Sequence, residues 1–162
     1  MSRWHTWAME PIRESQSVVI DRSPEDLYDM VADVTRMGEW SPVCRACWWV
    51  EGDGPVVGAR FQGRNETPER TWETTSKVVA ADRGREFTFT VESTQTRWSY
   101  TFAPVDGGTE VTESWEFGDR GRAVFSERFG DDAESNILDR QAKARSGMAA
   151  TLAALRAAAE SR

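Results

Sequence analysis

Val18-Val19-Ile20-Asp21-Arg22-Ser23-Pro24-Glu25-Asp26-Leu27-Tyr28 joins the end of a strand to the start of a helix within one short stretch. Serine caps a helix, proline fits its first position, and the acids Glu25 and Asp26 suit the positive end of the helix dipole. Leu27, Met30, Val31 and Val34 follow at i, i+3, i+4 and i+7, so one helix face is buried. Upstream, Ser15 to Asp21 is a short β-type run. Downstream, the helix falters near Asp33–Thr35, and a second helical turn carrying Met37 and Trp40 stops at Ser41-Pro42.

From Val43 the hydrophobic period changes from helical to two. Strands are expected over Val43–Glu51, Ala59–Asn65, Thr71–Ala81, Glu86–Glu92, Arg97–Ala103 and Thr109–Phe117. Gly52-Asp53-Gly54-Pro55, Asn65–Arg70, Asp82-Arg83-Gly84 and Ser93-Thr94-Gln95 read as turns, and Asp106-Gly107-Gly108 is a strong hairpin signal. Gly118–Gly130 is a polar, glycine-punctuated connection with Val124, Phe125 and Phe129 embedded. Asp131 to about Glu160 is one long helix with Ile137, Ala144, Met148, Leu152 and Leu155 as its apolar stripe. Short turns between successive strands imply antiparallel pairing. The expected fold is α+β: a seven-stranded curved antiparallel sheet around a long C-terminal helix, with two short helices after strand one.

The chain has 162 residues, enough for one domain with a real core, placed here at 13–162 with residues 1–12 as a loose tail. Net charge is −7 and the arginines are scattered among acids, which disfavours nucleic acid and anionic membrane surfaces as partners. No signal-like segment stands in residues 1–12 and no run approaches about 18 apolar residues, so the protein reads as cytoplasmic. His5 is the only histidine and lies in the tail, so no Ser/His/Asp or Cys/His set can form in the folded part. Acids abound without metal-ligand spacing, and no metal is expected. Cys44 and Cys47 make a C-x-x-C inside a strand-like run, where residues three apart point to opposite faces; they read as two free, partly buried thiols.

In order and spacing, the chain resembles the START-like (SRPBCC, helix-grip) superfamily, in the bacterial polyketide cyclase/dehydrase-related branch. The residues that carry the resemblance are Val18–Tyr28 as quoted, Asp33, Trp40-Ser41-Pro42, Val57-Gly58-Ala59-Arg60-Phe61, Asp106-Gly107-Gly108-Thr109 with Val111, and Gly147-Met148 with Thr151-Leu152 and Leu155. It extends from about Ser15 to Glu160. The resemblance implies a deep apolar cavity between sheet and long helix, a hydrophobic small-molecule ligand such as a lipid or polyketide, and no cofactor. Some members of that group are aromatase/cyclases and others carriers or receptors, so the fold alone does not choose a function.

Eight tryptophans in so short a chain fit strands wrapped around an aromatic core or a ligand. Period-two parity assigns an inner face. Phe87, Phe89, Trp98, Tyr100 and Phe102 point inward; Trp72 shares parity with Thr74, Ser76 and Val78, and Phe61 with Ala59, Gly63 and Asn65. Trp115 goes with Val111, Glu113 and Phe117. Of Trp48 and Trp49 one points in and one out, and parity does not say which. Phe61, Asn65, Trp72, Thr74, Phe87, Phe89, Trp98, Tyr100, Glu113 and Trp115, with Met148 and Leu152 from the long helix, are the ligand-binding candidates; the bland alternative for each is plain core.

Glu113 is the one charge in the inner row. It is either a ligand anchor or acid/base group with a raised pKa, or it is paired to an arginine, or it reaches solvent at a strand edge. Glu113 and Tyr100 are the catalytic candidates. Gly147, with Ala144 and Thr151, serves either close helix–sheet packing or room for a ligand under the helix. Asn65–Arg70, Ser93–Thr96 and Gly118–Gly130 would surround a mouth, the last as a lid or as a loop pinned by Phe125 and Phe129. Three functions follow: a binder of a hydrophobic small molecule, a polyketide aromatase/cyclase, or a partner-binding regulatory protein with a closed core. Oligomeric state is left open.

Overall fold

The computed structural model describes residues 9–161; Trp4, His5 and Trp7 lie outside them. Its elements are β1 (Ile12–Ile20), α1 (Pro24–Ala32), a 3-10 helix (Val34–Glu39), β2 (Cys44–Glu51), β3 (Arg60–Thr67), β4 (Arg70–Asp82), β5 (Glu86–Val91), β6 (Thr96–Val105), β7 (Gly108–Phe117), α2 (Asp119–Phe129) and α3 (Ala133–Glu160). The strands form one antiparallel sheet in the order β1-β7-β6-β5-β4-β3-β2. β1 and β2 are its opposite edges. α1 and the 3-10 helix therefore carry the chain from one edge to the other.

The start of α1 is built as its sequence dictates: Ser23 Oγ accepts from the Asp26 amide at 3.1 Å, and Leu27, Met30 and Val31 are buried. Tyr28 seats the helix on β5 and β6, meeting Phe87 and Phe102 edge-on at centroid distances of 6.3 and 5.9 Å. In the β6–β7 turn Gly108 has φ +136°, and a Cβ there would collide with the Ile20 carbonyl oxygen, so only glycine fits.

β1 begins at Ile12, three residues ahead of the expected start, because Ile12 continues the ladder opposite Phe117. A larger correction concerns Gly118–Gly130. It is not a loop but α2, with Phe125 buried between Phe117 and Phe129. Two of its glycines lie at the helix ends, and the third, Gly121, faces the Phe117 ring, where a Cβ would come within 2.5 Å of ring carbons. Punctuation in the sequence is thus close packing in the fold. A 3-10 turn, Gly130–Asp132, then leads into α3, which starts at Ala133 rather than Asp131.

α3 is gripped along β1 and β7. Glu14, on the inward row of β1, accepts from Arg145 Nε and Nη2 at 2.9 Å each and from Gln141 Nε2 at 2.7 Å. These donors hold its carboxyl down at a pKa of about 2, the Arg145 hydrogen bonds first among the causes. Among the described residues no helix is long and apolar enough to cross a membrane.

Candidate functional site

The inward rows meet as the parity predicts. Across the sheet Phe61 stands opposite Ser76, Gly63 opposite Thr74, and Asn65 opposite Trp72. Phe89 stands opposite Trp98 and Phe87 opposite Tyr100; Trp98 opposite Trp115 and Tyr100 opposite Glu113 complete the face. Trp49 joins it, packing edge-on against Phe61 at 5.6 Å, while Trp48 turns outward beneath Arg64. Two core clusters result. One runs from Leu27 and Phe61 through Phe87 and Tyr100 to Leu152; the other holds Trp115, Phe117, Phe125 and Met148. Trp98 packs against both. A domain of this size ordinarily builds one contiguous core.

Glu113 and Tyr100 form one buried polar pair on this face. Glu113 is only 3% exposed and Tyr100 only 5%. The Tyr100 hydroxyl donates to Glu113 Oε2 at 2.8 Å. Oε1, equally buried, has no hydrogen-bond partner. Neither bland alternative holds, since β7 lies between β1 and β6 and Glu113 has no arginine partner among the described residues. Burial raises its pKa to about 8, against a smaller downward pull from the Tyr100 hydrogen bond. Near neutral pH the carboxyl is therefore mostly protonated. With Oε2 accepting from Tyr100, the acid proton belongs on Oε1, where it can donate to a partner. The Tyr100 hydroxyl is pushed well above its ordinary range, first by burial and then by Glu113, and stays a donor.

Across the sheet lies a second polar group. Asn65 Nδ2 donates to Thr74 Oγ1 at 3.2 Å. Beside them the two thiols depart from expectation. A β-bulge between Cys44 and Ala46 shifts the strand's period, so Cys44 and Cys47 face the same side with their sulfurs 3.1 Å apart, and both are buried. A Cβ on Gly63 would meet Cys47 Sγ at 3.3 Å and Thr74 Oγ1 at 3.5 Å, which places thiols and hydroxyl around one bare spot of backbone. The Cys47 thiol is pushed up by the Cys44 hydrogen bond and by burial, while that same bond holds Cys44 down.

Not all expected residues share these surroundings. Trp115 is fully buried and stacked on Phe117 at 5.6 Å, and Met148 packs into that same cluster. Trp72 is half-buried at the far end of the row, beneath the Arg70 guanidinium. A groove of about 450 Å³ follows the seam between β1 and α3 and is lined by residues that include Gln16, Val18, Leu152 and Arg156. Gln16 is the cross-strand neighbour of Glu113. Sequence reasoning passed over Gln16, although alternation from Val18 and Ile20 puts it on the inner row.

Residues 11–160 match the model of the family described as polyketide cyclase / dehydrase and lipid transport. The chain belongs to that family. Among solved structures, the polyketide-cyclase-like protein Cgl2372 from Corynebacterium glutamicum is 44% identical, with 91% of this chain and 90% of that one covered and a TM-score of 0.68. The di-domain aromatase/cyclase StfQ of the steffimycin biosynthetic pathway superposes with a TM-score of 0.73 at 14% identity, covering 93% of this chain and 51% of StfQ. Major latex-like protein 151 from Panax ginseng gives a TM-score of 0.59 at 14% identity over 68% of this chain and 80% of its own. The last two likenesses concern the fold alone. No curated protein matches the sequence. This polyketide cyclase / dehydrase and lipid transport family member thus has the helix-grip architecture that its sequence resembles.

Proposed function

We propose that this protein binds an apolar small molecule carrying a keto or hydroxyl oxygen, held between the concave face of the sheet and α3. The observation that carries this reading is the unpartnered Oε1 of Glu113, buried beside aromatic walls. A neutral carboxyl left without a partner inside a protein costs stability unless something bonds to it. A ligand oxygen supplies that bond, while Phe61, Phe87, Phe89, Trp98 and Leu152 supply apolar contact. Asn65, Thr74 and Tyr100 add neutral hydrogen-bonding groups along the same face. The family description, which joins cyclases to lipid transport, supports a ligand of this class.

A second reading rests on the carboxyl's pKa of about 8. An acid poised there can both give and take a proton near neutrality, as aldol-type closure of a poly-β-keto chain requires. In that case the aromatic walls fold the chain, Glu113 moves the proton, and Tyr100 orients Glu113.

Native mass spectrometry tests the binding reading. Protein purified under gentle conditions is expected to carry a non-covalent species that is lost on denaturation, with lower occupancy in Glu113→Leu. Protein at its bare mass, with tryptophan emission unmoved by steroid or polycyclic ketones, overturns it. Turnover of a model poly-β-ketone by wild type and not by Glu113→Gln separates the second reading from the first.

A further inference from the structure

Cys44 and Cys47 are the chain's only two cysteines, and the function proposed above makes no use of them. They converge because Arg45 is the extra residue of the β2 bulge. Cys44 pairs with Asn65 and Ala46 with Arg64, so Arg45 has no cross-strand neighbour and its side chain lies exposed. Two glycines hold this irregularity in place. A Cβ on Gly38, in the 3-10 helix, would come within 2.6 Å of the Arg45 carbonyl oxygen, so the helix backbone lies directly on the bulge. Gly63, cross-strand from Cys47, leaves the sulfurs their room: a Cβ there would lie 3.3 Å from Cys47 Sγ and 3.8 Å from Cys44 Sγ.

The two sulfurs, 3.1 Å apart, are closer than ordinary van der Waals contact. Met37 Sδ stands 3.8 Å from Cys47 Sγ, and the pair shares its core cluster with Phe61 and Phe89. The Cys47 thiol donates to Cys44 Sγ, and that bond holds the Cys44 pKa below its ordinary value while pushing Cys47 up. Cys44 is therefore the sulfur on which a thiolate forms first, and the thiolate is the nucleophile. Its neighbour is already placed to resolve whatever forms on it.

We infer that Cys44 and Cys47 are a site of reversible oxidation, closing an intramolecular disulfide when a hydroperoxide reaches the pair. The Cys44 thiolate attacks a peroxide oxygen, the O–O bond breaks, and the departing oxygen takes up the proton that Cys44 gave away, leaving as water or an alcohol. Cys47 sulfur then attacks the sulfenic acid on Cys44, the S–S bond forms, and the sulfenic oxygen leaves as water with the Cys47 proton. The thiols lose two electrons and two protons, and the hydroperoxide is reduced by the same two electrons. This site does not depend on the binding reading proposed above.

The test uses the folded, reduced protein freed of reductant. It is exposed to hydrogen peroxide or to cumene hydroperoxide, unfolded in an alkylating reagent, and read by intact mass. The oxidised chain is expected to take no alkyl group, to weigh about 2 Da less than the reduced one, and to regain both thiols in dithiothreitol, which leaves methionine sulfoxide untouched. Faster closure with cumene hydroperoxide identifies an apolar oxidant that dissolves among the aromatic walls; faster closure with hydrogen peroxide identifies a small polar one. Cys47→Ser is expected to stop at a sulfenic acid on Cys44 that dimedone labels, and Cys44→Ser to give roughly tenfold less label. Equal labelling of the two variants overturns the order of attack. Wild type that keeps both thiols after both oxidants, links into dimers, gains sulfinic acid in place of the bridge, or forms the bridge only when unfolded in urea overturns the site.

Discussion

Tyr100 and Glu113 stand directly opposite one another on β6 and β7, and the tyrosine hydroxyl donates to Glu113 Oε2 at 2.8 Å. The bond orients a carboxyl that burial keeps protonated near neutrality. It also directs the other carboxyl oxygen, unpartnered, away from the tyrosine.

Glu113 makes the fold less stable in alkali. Its pKa is about 8 in the fold against 4.5 in an ordinary setting, so the native state holds a proton that the unfolded chain gives up. The resulting stability is fully present below pH 4.5, declines as pH rises, and is gone above about 8. The loss is on the order of a few kcal/mol. Thermal melts of wild type and Glu113→Gln across pH 5 to 9 are expected to diverge, with the variant lacking this decline. Parallel profiles would rule out a buried neutral acid.

Tyr100→Phe removes the one hydrogen bond that holds the Glu113 pKa down. The carboxyl is expected to titrate above about 8, followed by carbon NMR of labelled glutamate. Stability should fall by about 1–3 kcal/mol at neutral pH, since Oε2 loses its donor inside the protein. A downward shift of the titration would mean that water replaces the hydroxyl.

Glu14 behaves in the opposite sense. Arg145 and Gln141 hold it at about 2, so its contribution is present above pH 4.5 and is lost as pH falls through 2. Glu14→Gln is expected to lower the melting temperature at pH 6 and to leave it nearly unchanged at pH 2. Arg145→Gln should show the same pattern, because both changes break the clasp between β1 and α3. An equal deficit at both pH values would point to lost packing instead.

Two glycines respond in opposite ways to alanine. A Cβ on Gly147, within α3, meets only Pro42 Cγ at 3.9 Å, so close helix–sheet packing does not require the glycine. Gly147→Ala is expected to stabilise by about 1 kcal/mol, or roughly 3 °C. Gly108→Ala combines φ +136° with a collision at the Ile20 carbonyl, and should cost about 3 kcal/mol or more. Should Gly147→Ala stabilise yet weaken ligand binding, the space under the helix serves the ligand.

Much of the site was open to a reader of the sequence. Alternation put Tyr100 and Glu113 on one face, and the Asp106-Gly107 turn, with Val105 opposite Gly108, propagates along the hairpin to pair them, as it pairs Trp98 with Trp115. Counting back from that turn finds both pairs. Gln16 follows from the same alternation. The thiols were not open in this way, since a single bulged residue, Arg45, reverses which face Cys44 shows, and nothing in Cys-Arg-Ala-Cys announces it. α2 escaped notice because its glycines, taken as loop markers, include one that fits against Phe117.

The sequence by itself determined the order of the strands with α1 and α3, the capped start of α1, the hairpin turn and the inward parity of the aromatic rows. Those properties depend on neighbours within a few residues, where backbone geometry and period decide the outcome. Only the tertiary structure decided that Glu113 lies away from every arginine among the described residues with one oxygen unpartnered, that Trp49 rather than Trp48 faces inward, and that Cys44 and Cys47 share a face. Each of these depends on how the strands pair and close around α3, which brings together residues that local rules treat as unrelated.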